Sequence, residues 1–323
     1  MNEKISIKDL KILDQLDINS RQSDTEISKK VRLSKQLVNY RIKKLVEKNI
    51  ITSFFPQINI MKLGYYGYKF YLQLKSLPKE KEDELWNYLK DQNEILWIVS
   101  CSGRWDLIFA VIFIDLDQVN TFLIKFMNKY GELIVDKTIT IFNKATLHHR
   151  KWLLNKKNDN VFWTIGGETK EEKADAIDKT ILKILAKNAR IPIVDIANKV
   201  KISSTSVIKR VRKMQKKGII CGFRISLNKE KLGINYCKAF IYYNSRKIEE
   251  ENKLLEYCRN LPNILGVSQN IGSWDLELEF EVKQYNEFHK IMKEIKKNFP
   301  IIRNFETAYI EQEEGFSFLP RDI

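Results

Sequence analysis

The chain has 323 residues, of which 44% are hydrophobic and 30% charged, a balance that suits folded domains and excludes a disordered or low-complexity chain. Its 56 Lys+Arg against 41 Asp+Glu leave a formal charge of +15, which favours a polyanionic partner. A membrane-spanning helix needs about 20 apolar residues in a row. The longest run here, residues 107–114, ends at Asp115, and residues 1–5 lead into no apolar segment, so neither membrane insertion nor secretion is expected and the chain is placed in the cytoplasm.

Taken in chain order, Ile7, Leu10, Leu13 and Leu16 recur at helical spacing and predict an opening amphipathic helix. Ser23-Asp24-Thr25-Glu26 has the spacing of a capping box for a short second helix. Ser34 suits the N-cap of a third, whose Val38, Ile42 and Leu45 share one face while Lys35, Gln36, Asn39, Tyr40 and Lys43 share the other. Asn49 tolerates the left-handed conformation that closes a helix. The β-rich stretch Ile50-Ile51-Thr52-Ser53-Phe54-Phe55 then predicts a wing hairpin. Residues 1–60 thus form a winged helix-turn-helix, whose third helix would enter a major groove.

After Gly64 the pattern is strand 66–74, helix 79–89, strands 95–101 and 107–114 joined across Ser102-Gly103-Arg104-Trp105-Asp106, helix 119–130 and strand 134–142. The order βαββαβ predicts a ferredoxin-like sandwich over residues 64–143. Residues 144–174, rich in Lys, Asn and Glu and containing Gly166-Gly167, have the composition of a linker. Trp152, Phe162 and Trp163 argue that parts of it pack, so a partly helical strap with a flexible middle is expected. His148 and His149, adjacent on a polar basic stretch, are expected at the surface. No metal site is expected.

Sliding the chain against itself by 169 residues shows that everything so far happens twice. Asp9, Leu13, Asn19, Arg21, Ile27, Ser34, Val38 and Arg41 fall on Asp178, Leu182, Asn188, Arg190, Ile196, Ser203, Val207 and Arg210. Without a gap, Gly103, Trp105 and Asp106 fall on Gly272, Trp274 and Asp275. A second winged helix-turn-helix is therefore expected over 175–229, a second sandwich over 233–312, and a tail over 313–323. The four cysteines, Cys101, Cys221, Cys237 and Cys258, form no paired spacing and are expected as small buried hydrophobes.

The excess charge is localised. Residues 26–51 hold eight Lys/Arg and two Glu, net +6, and residues 195–224 hold nine Lys/Arg and one Asp, net +8. Two matching clusters, each on the helix such a fold presents to DNA, point to double-stranded DNA as the partner. The expected DNA-facing set is Ser34, Lys35, Gln36, Asn39, Tyr40, Arg41, Lys43 and Lys44 in the first copy. In the second it is Ser203, Ser204, Thr205, Ile208, Lys209, Arg210, Arg212 and Lys213. Arg41, Lys44, Arg210 and Lys213 suit phosphate oxygens, and the N-terminal halves of the helices suit base edges. Asn39 can pair with adenine where Ile208 can only touch a thymine methyl, so the two modules are expected to read different half-sites.

The run Ile202-Ser203-Ser204-Thr205-Ser206-Val207-Ile208-Lys209-Arg210 to Gly218-Ile219-Ile220, then Leu232-Gly233 and Gly272-Ser273-Trp274-Asp275, resembles the Lrp/AsnC (leucine-responsive, feast/famine) regulators. The resemblance covers nearly the whole chain taken as two copies, and the first copy departs at Asn49 and Ser53, where the family usually has Gly. It implies an α+β chain in which two winged helix-turn-helix domains alternate with two ferredoxin-like domains. It also implies sequence-specific transcription regulation, and sensing-domain sheets laid against each other as a pseudo-dimer within the chain or a homo-oligomer. A small effector such as an amino acid would sit beside the turn between the second and third sensing-domain strands. Carried over by motif, its residues are Gly103, Arg104, Trp105 and Asp106, with Gly272, Ser273, Trp274 and Asp275. A tight hairpin uses the same residue types, and the second copy lacks the Arg104 guanidinium that could grip a carboxylate.

Two rival readings remain. Tandem copies of this architecture also occur in siroheme decarboxylases, which resemble an Arg-His-Asn stretch near the start of the sensing domain. Here Leu63-Gly64-Tyr65-Tyr66-Gly67-Tyr68 and Leu232-Gly233-Ile234-Asn235-Tyr236 contain no His, so no catalytic residue and no cofactor is expected. A low-specificity architectural DNA-binding protein fits the charge as well. A regulator prefers its specific site by at least about a thousandfold, and that ratio separates the two.

Overall fold

The computed structural model describes residues 5–156, 161–167, 170–315 and 319. The first module comprises α1 (Ile7–Ile18), α2 (Asp24–Val31), α3 (Lys35–Glu47) and β1 (Ile51–Ile58). Ser6, Ser23 and Ser34 cap the three helices, each accepting from the amide three residues on. Ile12, Leu13, Leu16, Ile27, Val38, Ile42 and Leu45 fuse into one core, the faces that the helical spacing marks as apolar. Asn49, at φ 55°, and Gly218, at φ 72°, follow the two third helices in the left-handed conformation.

The first ferredoxin-like domain follows as β2 (Tyr66–Leu74), α4 (Lys79–Asp91), β3 (Ile95–Gly103), β4 (Leu107–Phe113), α5 (Leu116–Tyr130) and β5 (Ile134–His148), then β6 (Phe162–Gly166). The second copy runs α6 (Ala176–Lys187), α7 (Ile193–Val200), α8 (Ser204–Lys216), β7 (Ile220–Leu227), α9 (Lys229–Leu232), β8 (Asn235–Tyr243), α10 (Ile248–Asn260), β9 (Ile264–Ile271), β10 (Leu276–Val282), α11 (Tyr285–Asn298) and β11 (Ile302–Gly315). None of the described helices is long and apolar enough to cross a membrane.

Among the described residues neither module forms a wing hairpin. Each module contributes one strand, and β1 and β7 pair antiparallel with each other, with Phe54 opposite Ile225, Phe55 opposite Arg224 and Pro56 opposite Phe223. A two-stranded ribbon therefore joins the modules, and each strand finds its backbone partners in the other copy rather than in its own turn. The first helices bind it crosswise: the Ser20 amide donates to the Phe223 carbonyl at 2.9 Å and the Ala189 amide to the Phe54 carbonyl at 2.8 Å.

The two ferredoxin-like domains close on each other in the same reciprocal way. β5 pairs with β2 of its own copy through Ile141 and then with β9 of the other. β11 pairs with β8 and then with β3. Eight strands thereby form a continuous ring, β2-β4-β3-β11-β8-β10-β9-β5, closed by the β2–β5 pairing, with β6 added alongside β5. Closure leaves few free edges.

Trp105 and Trp274 fill the space between the two faces with Tyr71 and Phe240; the Tyr71 and Trp274 rings meet edge-on at 4.5 Å. The same interior buries charge. Glu277 receives Lys69 at 2.8 Å, Asn270 at 2.9 Å and the Trp274 indole at 3.1 Å, while Lys238 reaches Glu279 at 2.7 Å. Burial alone would raise the Glu277 carboxyl, but Lys69 and Lys238 outweigh it and hold it down to about 2.

The stretch expected as a flexible linker is largely built into the sheet. β5 continues to His148, β6 pairs with it, and Leu153 and Trp163 are buried. His148 and His149 are buried too, not exposed: His148 Nδ1 lies 3.2 Å from the Ile264 carbonyl oxygen and His149 Nε2 3.3 Å from Asp14. Residues 157–160, in the expected flexible middle, lie outside the described residues. The C-terminal stretch expected as a tail begins as β11, which runs to Gly315, and Leu319 packs into the core of the second helix-turn-helix module. Cys101, Cys237 and Cys258 are buried and Cys221 is half-buried, and burial pushes their thiols up, to about 11 for Cys221 and about 12 for the others.

Candidate nucleic-acid interface

Helices α3 and α8 each bury one stripe and expose the other. Val38, Ile42 and Leu45, and Val207, Val211 and Met214, face inward. Lys35, Gln36, Asn39, Tyr40, Lys43 and Lys44, with Thr205, Lys209, Arg212 and Lys213, are exposed. Both helices thus carry a solvent-facing basic surface on one molecule. Ser34 and Ser203 act as N-caps, accepting from the Leu37 and Ser206 amides, so their hydroxyls are already engaged.

Two of the expected phosphate contacts are committed within their own module. The Arg41 guanidinium donates to Asp9 at 2.8 Å and to the Ser6 hydroxyl at 3.2 Å. Its counterpart Arg210 reaches Asp175 at 2.7 Å and Asp178 at 2.8 Å. Each arginine ties the third helix to the capped start of the first, and the two acids raise Arg210 above its usual range. Lys44 and Lys213 are the lysines of that group left facing solvent.

Asn39 is likewise engaged: its amide donates to Asp24 at 2.7 Å. Asp24 also pairs with Arg190 of the other module at 2.8 Å. Ile208, at the counterpart position, is exposed and has no polar group to hold. Arg190 and Arg21 clasp the modules together. Arg190 donates to the Ser20 and Gln22 carbonyls at 2.7 and 2.9 Å, and Arg21 donates to the Ala189 carbonyl. These arginines were not singled out among the site residues, although the repeat of Asn19-Ser20-Arg21 in Asn188-Ala189-Arg190 carries the signal.

The first module is further anchored by buried ions. Asp17 at the end of α1 accepts from the Arg150 guanidinium at 2.7 Å and from Arg224 at 2.9 Å, and Arg150 also reaches Glu281 of β10 at 2.9 Å. Trp152 donates to Glu281 at 2.8 Å, and Arg224 stacks over the Trp163 ring at 4.6 Å. Burial would raise the Asp17 carboxyl, but Arg224 and Arg150 hold it below its ordinary value. At the positions equivalent to Asp17, Arg224 and Glu281 the repeat has Ala186, Phe55 and Ile112. Ala186 and Ile112 belong to one apolar cluster.

The turns assigned to an effector are occupied by structural work. Trp105 and Trp274 are 1% and 2% exposed and pack with Tyr71 and Phe240 in the core of the strand ring. Asp106 accepts from the Leu74 amide at 2.7 Å and Asp275 from the Tyr243 amide at 2.8 Å, fixing the turn to the end of a neighbouring strand. Gly103, at φ 114°, lies so close to the Thr307 carbonyl that a Cβ would fall 2.6 Å from its oxygen, and Gly272 lies against Thr140. Ser273 is exposed, and Arg104 pairs with Asp136 at 2.6 Å and Glu306 at 3.6 Å.

Comparison with known proteins agrees with this construction. Residues 5–52 and 175–220 each match the family described as winged helix-turn-helix DNA-binding. The chain is 36% identical to the HTH-type transcriptional regulator Ptr1 of Methanocaldococcus jannaschii over 115 residues, 36% of this chain and 76% of that protein. It is 30% identical to the leucine-responsive regulatory protein of Haemophilus influenzae over 152 residues, 46% of this chain and 89% of that protein. The crystal structure of the siroheme decarboxylase NirDL covers 97% of this chain and 94% of its own at TM-score 0.62 and 13% identity, a likeness of fold alone. With a winged helix-turn-helix match in each half and regulators as relatives over most of their length, the chain belongs to the Lrp/AsnC family of DNA-binding transcription regulators, carrying the family's domain pair twice.

Proposed function

We propose that this regulator reads a single double-stranded DNA site built of two unlike half-sites, as a pseudo-dimer contained in one chain. The observation that carries the reading is the β1–β7 ribbon, which joins two modules whose third helices both expose a basic face. In this reading Lys44 and Lys213 neutralise phosphates and supply affinity. Gln36, Tyr40, Thr205 and Lys209, exposed on the first turns, meet base edges. Asn39, held by Asp24, meets adenine only by giving up that bond, whereas Ile208 offers a methyl-sized apolar contact without such a cost. The modules therefore differ in what they can read.

Response to a small amino-acid-like effector is the finer part of the proposal. At the turn 103–106 a carboxylate would have to displace Asp136 or Glu306 from Arg104. Fluorescence anisotropy of labelled duplexes across a range of salt concentrations tests the DNA reading. A specific site preferred by at least about a thousandfold over unrelated duplex supports it. Equal, strongly salt-dependent binding to every duplex would contradict it.

A further inference from the structure

Two clefts flank the β1–β7 ribbon, and the repeat makes them counterparts. One, of about 350 Å³, is lined by Asp24, Asn39, Phe54 and Arg190 among others; the second, of about 200 Å³, has Ile193, Ile208, Phe223 and Arg21 at the same positions. In the first, Asp24 neutralises Arg190 and holds Asn39. In the second, isoleucines replace both polar residues. Arg21 there bonds to the main-chain carbonyls of Ala189 and Ile191, and among the described residues it meets no carboxylate. Burial, and then the nearby Arg190, push the Arg21 pKa down; burial lowers Arg190 as well, although Asp24 works against it there. Arg212 lines the same cleft.

We propose that this cleft binds a small apolar monocarboxylate, with the carboxylate on the Arg21 guanidinium and the aliphatic body against Ile193, Ile208 and Phe223. The ligand supplies from outside the negative charge that Asp24 supplies in the other cleft. A guanidinium takes a planar carboxylate through two parallel hydrogen bonds. An amino acid would also bring an ammonium group, and no acidic residue lines this cleft to receive it. Inorganic phosphate would set a strongly hydrated ion against an apolar wall. Asn19 and Arg21 come from the first module and the remaining lining residues from the second, so an occupant bridges the two. It shifts their spacing to the extent that it binds one spacing better than another.

The test uses the full chain and no DNA, so its outcome is independent of whether the half-site reading holds. Isothermal titration with 4-methylpentanoate is compared with leucine and with inorganic phosphate, on the wild type, Arg21→Gln and Ile193→Asp. Ile193→Asp rebuilds within the chain the pair that Asp24 makes with Arg190, so the fold is retained while the charge on Arg21 is taken. The expected result is saturable binding of one 4-methylpentanoate per chain, weakened at least about tenfold in both variants, with leucine and phosphate weaker on the wild type. No saturable binding to the wild type, an equal response to phosphate or leucine, or undiminished binding by Ile193→Asp would overturn the proposal.

Discussion

Phe55 and Arg224 face each other across the β1–β7 ribbon, and each occupies the other's position in the repeat. The pseudo-twofold axis of the molecule therefore passes between an aromatic ring and a guanidinium, and symmetry is broken at its centre. Arg224 turns to Asp17 and stacks on Trp163. On that side an ionic joint binds a DNA module to a sensing domain, while the equivalent positions on the other side are apolar.

Breaking the ionic joint at Asp17 strips the buried Arg224 of its carboxylate partner and leaves Arg150 with Glu281 alone. Asp17→Ala, which copies Ala186, is expected to lower unfolding stability by about 3–5 kcal/mol in urea titration. Replacing the whole set, Asp17→Ala with Arg150→Met, Arg224→Phe and Glu281→Ile, is expected to recover most of that loss. A quadruple variant no more stable than the single one would show that the ions are not acting as one unit.

Packing under the ribbon is asymmetric as well. A Cβ built on Gly222 would fall inside the Trp163 indole, whereas the counterpart Ser53 is exposed. Gly222→Ser, the residue of the other copy, is expected to cost about 1–3 kcal/mol by overpacking, and Ser53→Gly far less. Thermal unfolding of the two variants reads the difference directly.

His148 predicts a pH dependence. Burial first, then Lys151, hold its imidazole down to about 4 against an ordinary value of 6.5. The unfolded chain takes up this proton as pH falls below about 6.5 while the folded chain does not, so stability is fully present above that value. It falls by about 3 kcal/mol as pH drops towards 4. The carboxylates held down by cationic partners, Asp14, Asp17, Glu277, Glu279 and Glu313, add a loss in the same sense only as pH nears their ordinary 3.8 to 4.5, so the slope above about 4.5 belongs to the histidine. His148→Asn should flatten the slope between pH 6.5 and 4.5, and an unchanged slope would assign it elsewhere.

Among the exposed lysines, Lys44→Ala and Lys213→Ala are each expected to weaken binding to all duplexes alike and to reduce the salt slope by about 1. A loss confined to one sequence would give them a base-reading role instead.

The repeat, the element order and the helix caps were legible because they are local or periodic: Ser23 with Glu26, Val38 with Ile42 and Leu45, Gly103 with Asp106. What the sequence left hidden is pairing between the copies. Nothing in Ile50 to Phe55 tells a hairpin from a strand whose partner lies in the other copy, since both need the same β-rich residues. For the same reason the polar stretch around His148 read as surface, although its charges are neutralised by Asp17 and Glu281 from distant elements. Asn39 reads as free on a helical face, yet Asp24, one helix away, holds its amide. In the sensing-domain turns, Gly103 and Asp106 carry a structural role that sequence alone could not separate from ligand binding.

The central claim, that one chain carries two unlike DNA-reading modules at a fixed separation, is tested most directly by selecting bound duplexes from a random-sequence pool. Wild type is compared with variants altered at Tyr40 and Gln36 or at Thr205 and Lys209. The account predicts one enriched site with two different half-sites about one helical turn, 10 bp, apart, each half lost in only one variant. A true palindrome, or no enriched sequence at all, would contradict it.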